Sequence, residues 1–226
     1  MTAAFLLSGL IGGARAEAQD PSDGQAPAAT DSSSAEQGSA APAGAPSLFL
    51  DLDSRLWIEG TSTVRDFTCE AGVVAATFRT NPVEDPLAMS SLEEILRQAS
   101  VQIPAPQLDC SNGTMNDHMW NALRAEEEPD IRFEFDRYRV LPRDGEAASV
   151  ALPGELTMAG VTRPVTVAGQ ATPEEDGSLR VVGSSELDMT EWNVRPPSLM
   201  FGVMRVGEVV EVHFDLIVRG EEAASD

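Results

Sequence analysis

The chain has 226 residues, of which 42% are hydrophobic, enough to form the core of one domain of ordinary size. It contains 37 acidic and 15 basic residues, all of the latter arginine, which gives a formal net charge of −22. Such a surface repels phosphate backbones and anionic lipid headgroups, which argues against nucleic-acid binding and against electrostatic docking on a membrane.

The N-terminus resembles an export signal. Residues 2–13 form an apolar run that is too short to span a bilayer as a helix, and small-residue cleavage patterns follow it between positions 14 and 18. No basic residue precedes the run, so a frayed apolar terminus is the alternative. We interpret residues 1–18 as a signal peptide. No later stretch of the sequence is long and apolar enough to be an integral membrane span, so we expect a periplasmic or secreted protein.

Composition divides the remaining chain into three parts. Residues 19–46 are rich in Ala, Pro and Ser and lack large apolar side chains, which predicts a disordered linker. Residues 47–220 form the predicted folded domain, and residues 221–226 an acidic tail.

The two cysteines, Cys69 and Cys110, suit an exported protein, in which an even pair usually forms a disulfide. Two unrelated buried thiols are the alternative. The two histidines, His118 and His213, are too far apart to complete a metal-ligand spacing, so no metal site is expected.

Alternation of apolar and polar residues is the dominant signal in the folded domain. The apolar members of five such runs are Leu48, Leu50 and Leu52; Leu56 and Ile58; Ile131, Phe133 and Phe135; Val165 and Val167; and Val210, Val212, Phe214 and Leu216. This period is typical of strands with one dry face and one wet face. Turn-forming residues at 142–145, 175–177 and 205–207 separate the runs. About eight strands joined by short loops predict an antiparallel sheet, closed as a barrel or folded as a sandwich.

One segment departs from this period. Apolar residues, among them Met115 and Met119, recur at helical spacing in residues 114–125, and Thr114 is a candidate N-cap. We predict a short amphipathic helix over one end of the barrel, and a weaker helical turn at residues 91–98.

Three stretches carry a family resemblance: residues 58–70 (IEGTSTVRDFTCE), residues 101–135, and residues 154–167 (GELTMAGVTRPVTV) continued by 188–218. Their most specific pieces are GVTRP at 160–164 and Met-Phe-Gly at 200–202. Together they resemble the YceI-like family of periplasmic, polyisoprenoid-binding proteins.

The resemblance implies a lipocalin-like, eight-stranded antiparallel β-barrel whose lengthwise apolar pocket holds an isoprenoid-type lipid, a polyprenyl or quinone-like chain, without catalysis. No cofactor other than such a bound lipid is expected. The resemblance also implies that the cysteines tie the strand after the GTST turn to the loop before the helix, and it is compatible with a homodimer. An eight-stranded barrel is wide enough for one slender ligand.

The sequence departs from many family members at two places. They have a histidine near the position of Arg65, and Gly-x-Phe where this chain has Ala76-Thr77-Phe78. Arg65 is therefore the candidate for holding a headgroup, because the fork of donors on its guanidinium suits pyrophosphate or carbonyl oxygens.

Methionines and aromatic residues are the candidate lining of the pocket, because methionine repacks easily around a flexible apolar ligand. The candidates are Trp57, Phe67, Met115, Met119, Trp120, Phe133, Phe135, Met189, Trp192, Met200, Phe201 and Met204. The alternative is that they form ordinary core beneath the helix.

The ionisable residues offer no acid–base pair and no catalytic residue is predicted. The run at 126–128 is interpreted as solvated surface, Asp188 and Glu191 as residues that stabilise a turn, His118 as lying on the polar side of the helix and His213 on a wet strand face. The sequence thus favours a lipid carrier or reservoir. A barrel filled by its own side chains, acting as a structural or protein-interaction module, is the second hypothesis.

Overall fold

The computed structural model describes residues 46–142, 147–199 and 204–221, which belong to the unit Ala40–Asp226. The predicted signal peptide, the predicted linker apart from its last residue, and the predicted acidic tail apart from its first residue lie outside the described residues.

Short and long strands account for most of the described residues. In chain order they are β1 Leu48–Leu50, β2 Arg55–Ser62, β3 Phe67–Ala71, β4 Ala75–Thr80, β5 Leu96–Pro104, β6 Leu108–Asp109, β7 Asp130–Phe135, β8 Arg139–Pro142, β9 Ala148–Met158, β10 Val161–Pro173, β11 Leu179–Asp188, β12 Ser198–Leu199 and β13 Met204–Gly220. One α-helix, α1, spans Gly113–Ala122, and 3₁₀ turns span Ala105–Gln107 and Met189–Trp192.

All strand pairs are antiparallel, and the sheet curls on itself. Its hydrogen-bonded order is β4-β5-β7-β9-β10-β11-β13-β2-β3-β6, with β1 and β12 on β13 and β8 on β9. Beyond β4, the Thr80 hydroxyl donates to the carbonyl of Pro46 at 2.6 Å, next to the start of β1. The predicted mostly-β antiparallel fold is confirmed, whereas closure as a barrel of eight strands stays a prediction, because the ladder traced within the described residues ends at β4 and β6.

The side chains of the long strands alternate between the two faces of the sheet, as their sequence period predicts. On β13, Val210, Phe214 and Val218 are buried while Glu211 faces solvent. The prediction was wrong for Leu52, which is fully exposed at 101%. Strand β1 ends at Leu50, and the turn that follows breaks the period.

The predicted helix exists, with different ends. It begins at Gly113 and not at Thr114, because Asn112 is the N-cap and its side chain accepts a hydrogen bond from the amide of Met115 at 3.1 Å. It ends at Ala122, three residues before the predicted end, where the backbone turns into the left-handed region at Arg124 (φ 57°).

The turn predicted at residues 91–98 forms only in its first half. The amide of Ile95 donates to the carbonyl of Ser91 at 2.9 Å, and β5 begins at Leu96. The β-branched and polar residues of β5 pair with β4 and β7, so strand pairing replaces the second half of the turn.

A disulfide joins β3 to the segment before α1. The sulfur atoms of Cys69 and Cys110 lie 1.96 Å apart, which is the predicted pairing, and the Cys69 side chain is buried at 1% exposure. Beside it, the Asp109 carboxylate accepts bonds from the side-chain amide of Asn116 and the backbone amide of Ser111, both at 2.8 Å, and these bonds lower its pKa. The start of α1 is therefore fixed to the sheet covalently and by hydrogen bonds.

Candidate ligand-binding site

The curled sheet surrounds a cavity of about 1000 Å³. Its wall consists mainly of Leu, Val, Ile, Phe and Met side chains from the inward faces of the strands, together with residues of α1. Leu56 and Ile58 on β2, and Val212 and Leu216 on β13, are examples from the two strands that pair along one side.

The strand register defines two ends of this cavity. The helix end comprises the β2–β3 turn (63–66), α1 and the turn Met189–Trp192, because Ser62 pairs with Val206 and Asp188 with Val209. At the far end Val218 pairs with Leu179 and with Leu50.

The two ends differ in polarity and exposure. The exposed wall residues of the helix end are Val64, Arg65, Asn112, Thr114, Glu191, Arg205 and Val209. Thr166 and Glu186 are also exposed, but each lies between two inward-pointing strand neighbours, so their side chains point out of the cavity. Val64 and Val209 are apolar and still 63% and 47% exposed, which marks an opening of the cavity there. The wall at the far end is apolar except for Tyr138, whose hydroxyl oxygen accepts a bond from the amide of Leu96 at 3.1 Å. Burial raises the pKa of Tyr138, so it is uncharged at neutral pH.

Seven of the predicted lining residues lie in the wall. They are Phe67, Met115, Met119, Phe133, Phe135, Met189 and Trp192. Trp192 is the most enclosed, at 2% exposure, and its indole N–H donates to the carbonyl of Leu156 at 2.9 Å. The Met189–Trp192 turn that carries it is closed by Asp188, whose carboxylate accepts bonds from the amide and hydroxyl of Thr190, and these bonds lower the Asp188 pKa.

Contrary to the sequence-based prediction, Trp57 does not line the cavity but lies on the outer face of the sheet. Leu56 and Ile58 point into the cavity, so the residue between them must point out. Its ring stacks on that of His213, with centroids 5.1 Å apart, and its indole N–H donates to Glu59 at 3.1 Å.

Trp120, also predicted to line the cavity, does not lie in its wall. It follows Met119 directly on α1, and adjacent helical residues point in different directions, so it leaves the wall while Met119 stays in it. Its indole N–H donates to the carbonyl of Leu108 at 3.1 Å, which fastens the helix to the sheet.

Three further predicted residues are not placed. Met200 and Phe201 lie outside the described residues, and so does the side chain of Met204, although its backbone begins β13.

The predicted headgroup residue, Arg65, lies at the rim of the helix end and is exposed. The hydroxyl of Ser62 donates to the Arg65 carbonyl at 2.7 Å and accepts from its amide at 3.2 Å, so the turn holds the backbone in place. Within the described residues the Arg65 guanidinium makes no ion pair. Its donors are available to a group in the opening.

His118 lies in the cavity wall at the helix end, so its predicted position on the polar side of α1 was wrong. Helical spacing places His118 three residues after Met115, on the same face. His213 lies on the outer face as predicted, with its Nε2 atom 3.7 Å from carboxylate oxygens of Glu59 and Glu211. In the part of the chain that the structure describes, no group of three His, Cys, Asp or Glu side chains could hold a metal ion, and no helix is long and apolar enough to cross a membrane.

The sequence-based selection missed the aliphatic part of the wall. Leu56, Ile58, Val165, Val181 and Leu216 line the cavity and were not selected as binding residues, although four of them belong to runs with the correct period. The selection weighted side-chain type, whereas the position in the two-residue period was the better signal.

Comparison with known proteins assigns this chain to a family. The family model for the YceI-like domain matches residues 56–218. The structure of BcnA from Burkholderia cenocepacia is similar, with a TM-score of 0.58 and 17% identity over 74% of this chain and 98% of that one. A polyisoprenoid-binding domain from Saccharophagus degradans, implicated in plant cell wall breakdown, has a TM-score of 0.58 and 12% identity over 78% and 99%. At these identities the likeness shows the fold alone. No individually curated protein is significantly similar.

Proposed function

Since this chain belongs to the YceI-like family, we propose that it is an exported carrier or reservoir whose cavity holds an isoprenoid-type lipid, a polyprenyl or quinone-like chain, without catalysing a reaction. The observation that carries the proposal is the apolar cavity of about 1000 Å³, open at the helix end and lined by hydrocarbon at the far end.

The size and lining of the cavity suit a long chain. Its volume is at the upper end of ligand pockets, which span roughly 300–1,000 Å³. Each methylene group removed from water contributes about 0.8 kcal/mol, so ten of them give about 8 kcal/mol, the free energy of a micromolar complex. Loss of translational freedom opposes part of this gain, so a chain of about ten carbons is near the shortest that would bind measurably.

The helix end suits the polar group of such a lipid. Arg65 offers donors at the rim, while Asp188 and Glu191 lie at the same end. These acidic side chains repel a ligand headgroup that carries a strong negative charge of its own. A carbonyl-bearing, uncharged headgroup therefore fits better than a pyrophosphate.

Export is part of the proposal and rests on the apolar N-terminal run and on the Cys69–Cys110 disulfide. Disulfides persist in oxidising compartments such as the periplasm and are rare in the cytosol. The alternative, a filled barrel acting as a structural or protein-interaction module, requires an interior occupied by side chains. The open volume argues against it.

The proposal is tested by native mass spectrometry of the full chain exported to and purified from a bacterial periplasm, followed by solvent extraction. We expect a co-purified mass in the range of a prenyl lipid. A protein that carries no ligand, and takes none up when incubated with quinones and prenyl phosphates, would contradict the carrier role and favour the interaction module.

A further inference from the structure

The ring of Phe67 lies directly over Gly60 in the cavity wall at the helix end. The two residues face each other across β2 and β3, and residues opposite each other share a face. A Cβ atom built on Gly60 would lie 2.3 Å from Cζ of Phe67 and within 2.9 Å of two more ring atoms. Gly60 is buried under the ring, although it borders the opening. The missing side chain of Gly60 is thus what allows the ring to lie against the sheet.

A phenylalanine ring packs over a glycine at two places deeper in the cavity, but there the backbone also limits the space beside the glycine. The ring of Phe133 lies over Gly154 and that of Phe214 over Gly183. At these two glycines a Cβ would also meet a backbone carbonyl oxygen, at 2.3 Å and 2.4 Å. At Gly60 the three nearest atoms all belong to the Phe67 ring. Only this pair can therefore be altered by moving a side chain alone.

The backbone on both sides of Phe67 is held in place, so its ring is the part that a side chain at position 60 would displace. Ser62 fixes the turn that precedes it, and the disulfide of Cys69, two residues later on the same face, ties β3 to the start of α1. Met115 and Met119 of α1 line the same end. A displaced ring cannot pass through the sheet behind it, so it must move into the cavity.

We propose that Phe67, held against the sheet by Gly60, is the residue that sets the width of the opening and so selects ligands by the cross-section of their chain. This inference rests on the proposed function, because it assumes that a chain enters at the helix end. With the ring over Gly60, the opening admits a methyl-branched prenyl chain; with the ring displaced, it favours an unbranched chain.

Two quinones with the same headgroup and ten chain carbons provide the test: ubiquinone-2, which has a branched chain, and decylubiquinone, which has a linear one. Their affinities for the full-length protein are measured by quenching of tryptophan fluorescence, since Trp192 lies in the cavity wall. The variants are Gly60→Ala, Phe67→Ala and the double variant. Gly113→Ala is the matched control, because a Cβ there meets nothing within 4 Å.

We expect Gly60→Ala to weaken ubiquinone-2 binding about tenfold, equivalent to excluding about two methylene groups, and to weaken decylubiquinone binding less. In the Phe67→Ala background the same glycine substitution should have no effect, since no ring remains to be displaced. Gly113→Ala should bind both quinones as the wild type does.

Three outcomes would overturn the inference. Gly60→Ala could bind both quinones as the wild type does, or could weaken binding equally with and without the Phe67 ring. If circular dichroism shows that Gly60→Ala is unfolded, Phe67→Ala alone decides: it should shift the preference toward ubiquinone-2, and an unchanged ratio of affinities contradicts the inference. Failure of the wild type to bind either quinone contradicts the proposed function itself, which distinguishes the two failures.

Discussion

The two ends of the cavity are built for different tasks. At the far end, Leu92, Val150, Ala171, Leu179 and Val218 form one buried cluster, with ion pairs on the surface outside it. At the helix end, exposed polar residues and methionines surround an opening, and none of the α1 side chains is fully buried. The helix end has a larger buried cluster of its own, which includes Leu108, Leu123 and Trp192, so the two ends differ in access to the cavity: the far end is closed, and the helix end is open.

Removing the disulfide should have the largest effect on stability and should act on the helix end. For the double variant Cys69→Ala/Cys110→Ala, whose cysteines are 41 residues apart, we expect a loss of about 4 kcal/mol in the free energy of unfolding. Urea denaturation measures the loss. Hydrogen exchange should speed up in α1 and stay slow in the far-end parts of β11 and β13. Uniform acceleration along the whole sheet would show that the two ends are not independent.

A truncation in the far-end cluster should rank second. Leu179 is 6% exposed, and Leu179→Ala should lower the free energy of unfolding by about 2–4 kcal/mol through lost contacts and a larger cavity. Leu141→Ala is the matched control, because that side chain is 62% exposed and should change stability by less than about 0.5 kcal/mol. Equal losses in thermal melts of both variants would contradict the contribution of this cluster to stability.

Arg65 should affect binding without affecting stability. Arg65→Ala should weaken the binding of decylubiquinone about fivefold through loss of a charge-assisted hydrogen bond at an exposed rim, with an unchanged melting temperature. Arg137→Ala removes the same charge at an exposed position outside the cavity wall and should bind normally. Unchanged ligand retention in Arg65→Ala would remove this residue from the site.

The smallest effect on stability is expected from a substitution of Asp176 at the far end, and only in acid. Bonds from Ser178, with the nearby Arg219, lower the pKa of Asp176 from 3.8 to about 2. Since the folded-state pKa is the lower one, the stabilisation is complete above about pH 4 and is lost as the pH falls through 2. Asp176→Asn should therefore unfold with a flatter pH dependence between pH 4 and 2. An acid unfolding curve of Asp176→Asn identical to that of the wild type would contradict this role of Asp176.

The two-residue period predicted the strands better than it predicted their number or the site. Leu56 and Phe214 lie on the inward face where alternation placed them, because a buried face tolerates no slip in register. The segment 81–95, which contributes Leu87 and Leu92 to the far end, has no period and could not be placed from sequence. Short strands such as β6 are too short to show a period and are recognised only from the strands with which they pair.

At the site, errors arose where side-chain chemistry was weighted above position. Trp57 was selected for its ring although the neighbours Leu56 and Ile58 already placed it outside. Thr114 and Asn112 are both good N-caps, and only the fold decides between them. The role of Gly60 was not predictable, because it depends on which ring lies opposite in β3.

The position of β13 has a consequence for how the chain reaches this fold. It is the last of the described strands in sequence, yet it pairs with β11 on one side and with β1 and β2 on the other, joining Phe214 to Leu56. A growing chain must therefore keep the edges of β2 and β11 unpaired until β13 emerges, and such long-range pairing is intrinsically slow. A chain cut before Met204 would expose two long strand edges, a recognised route to aggregation.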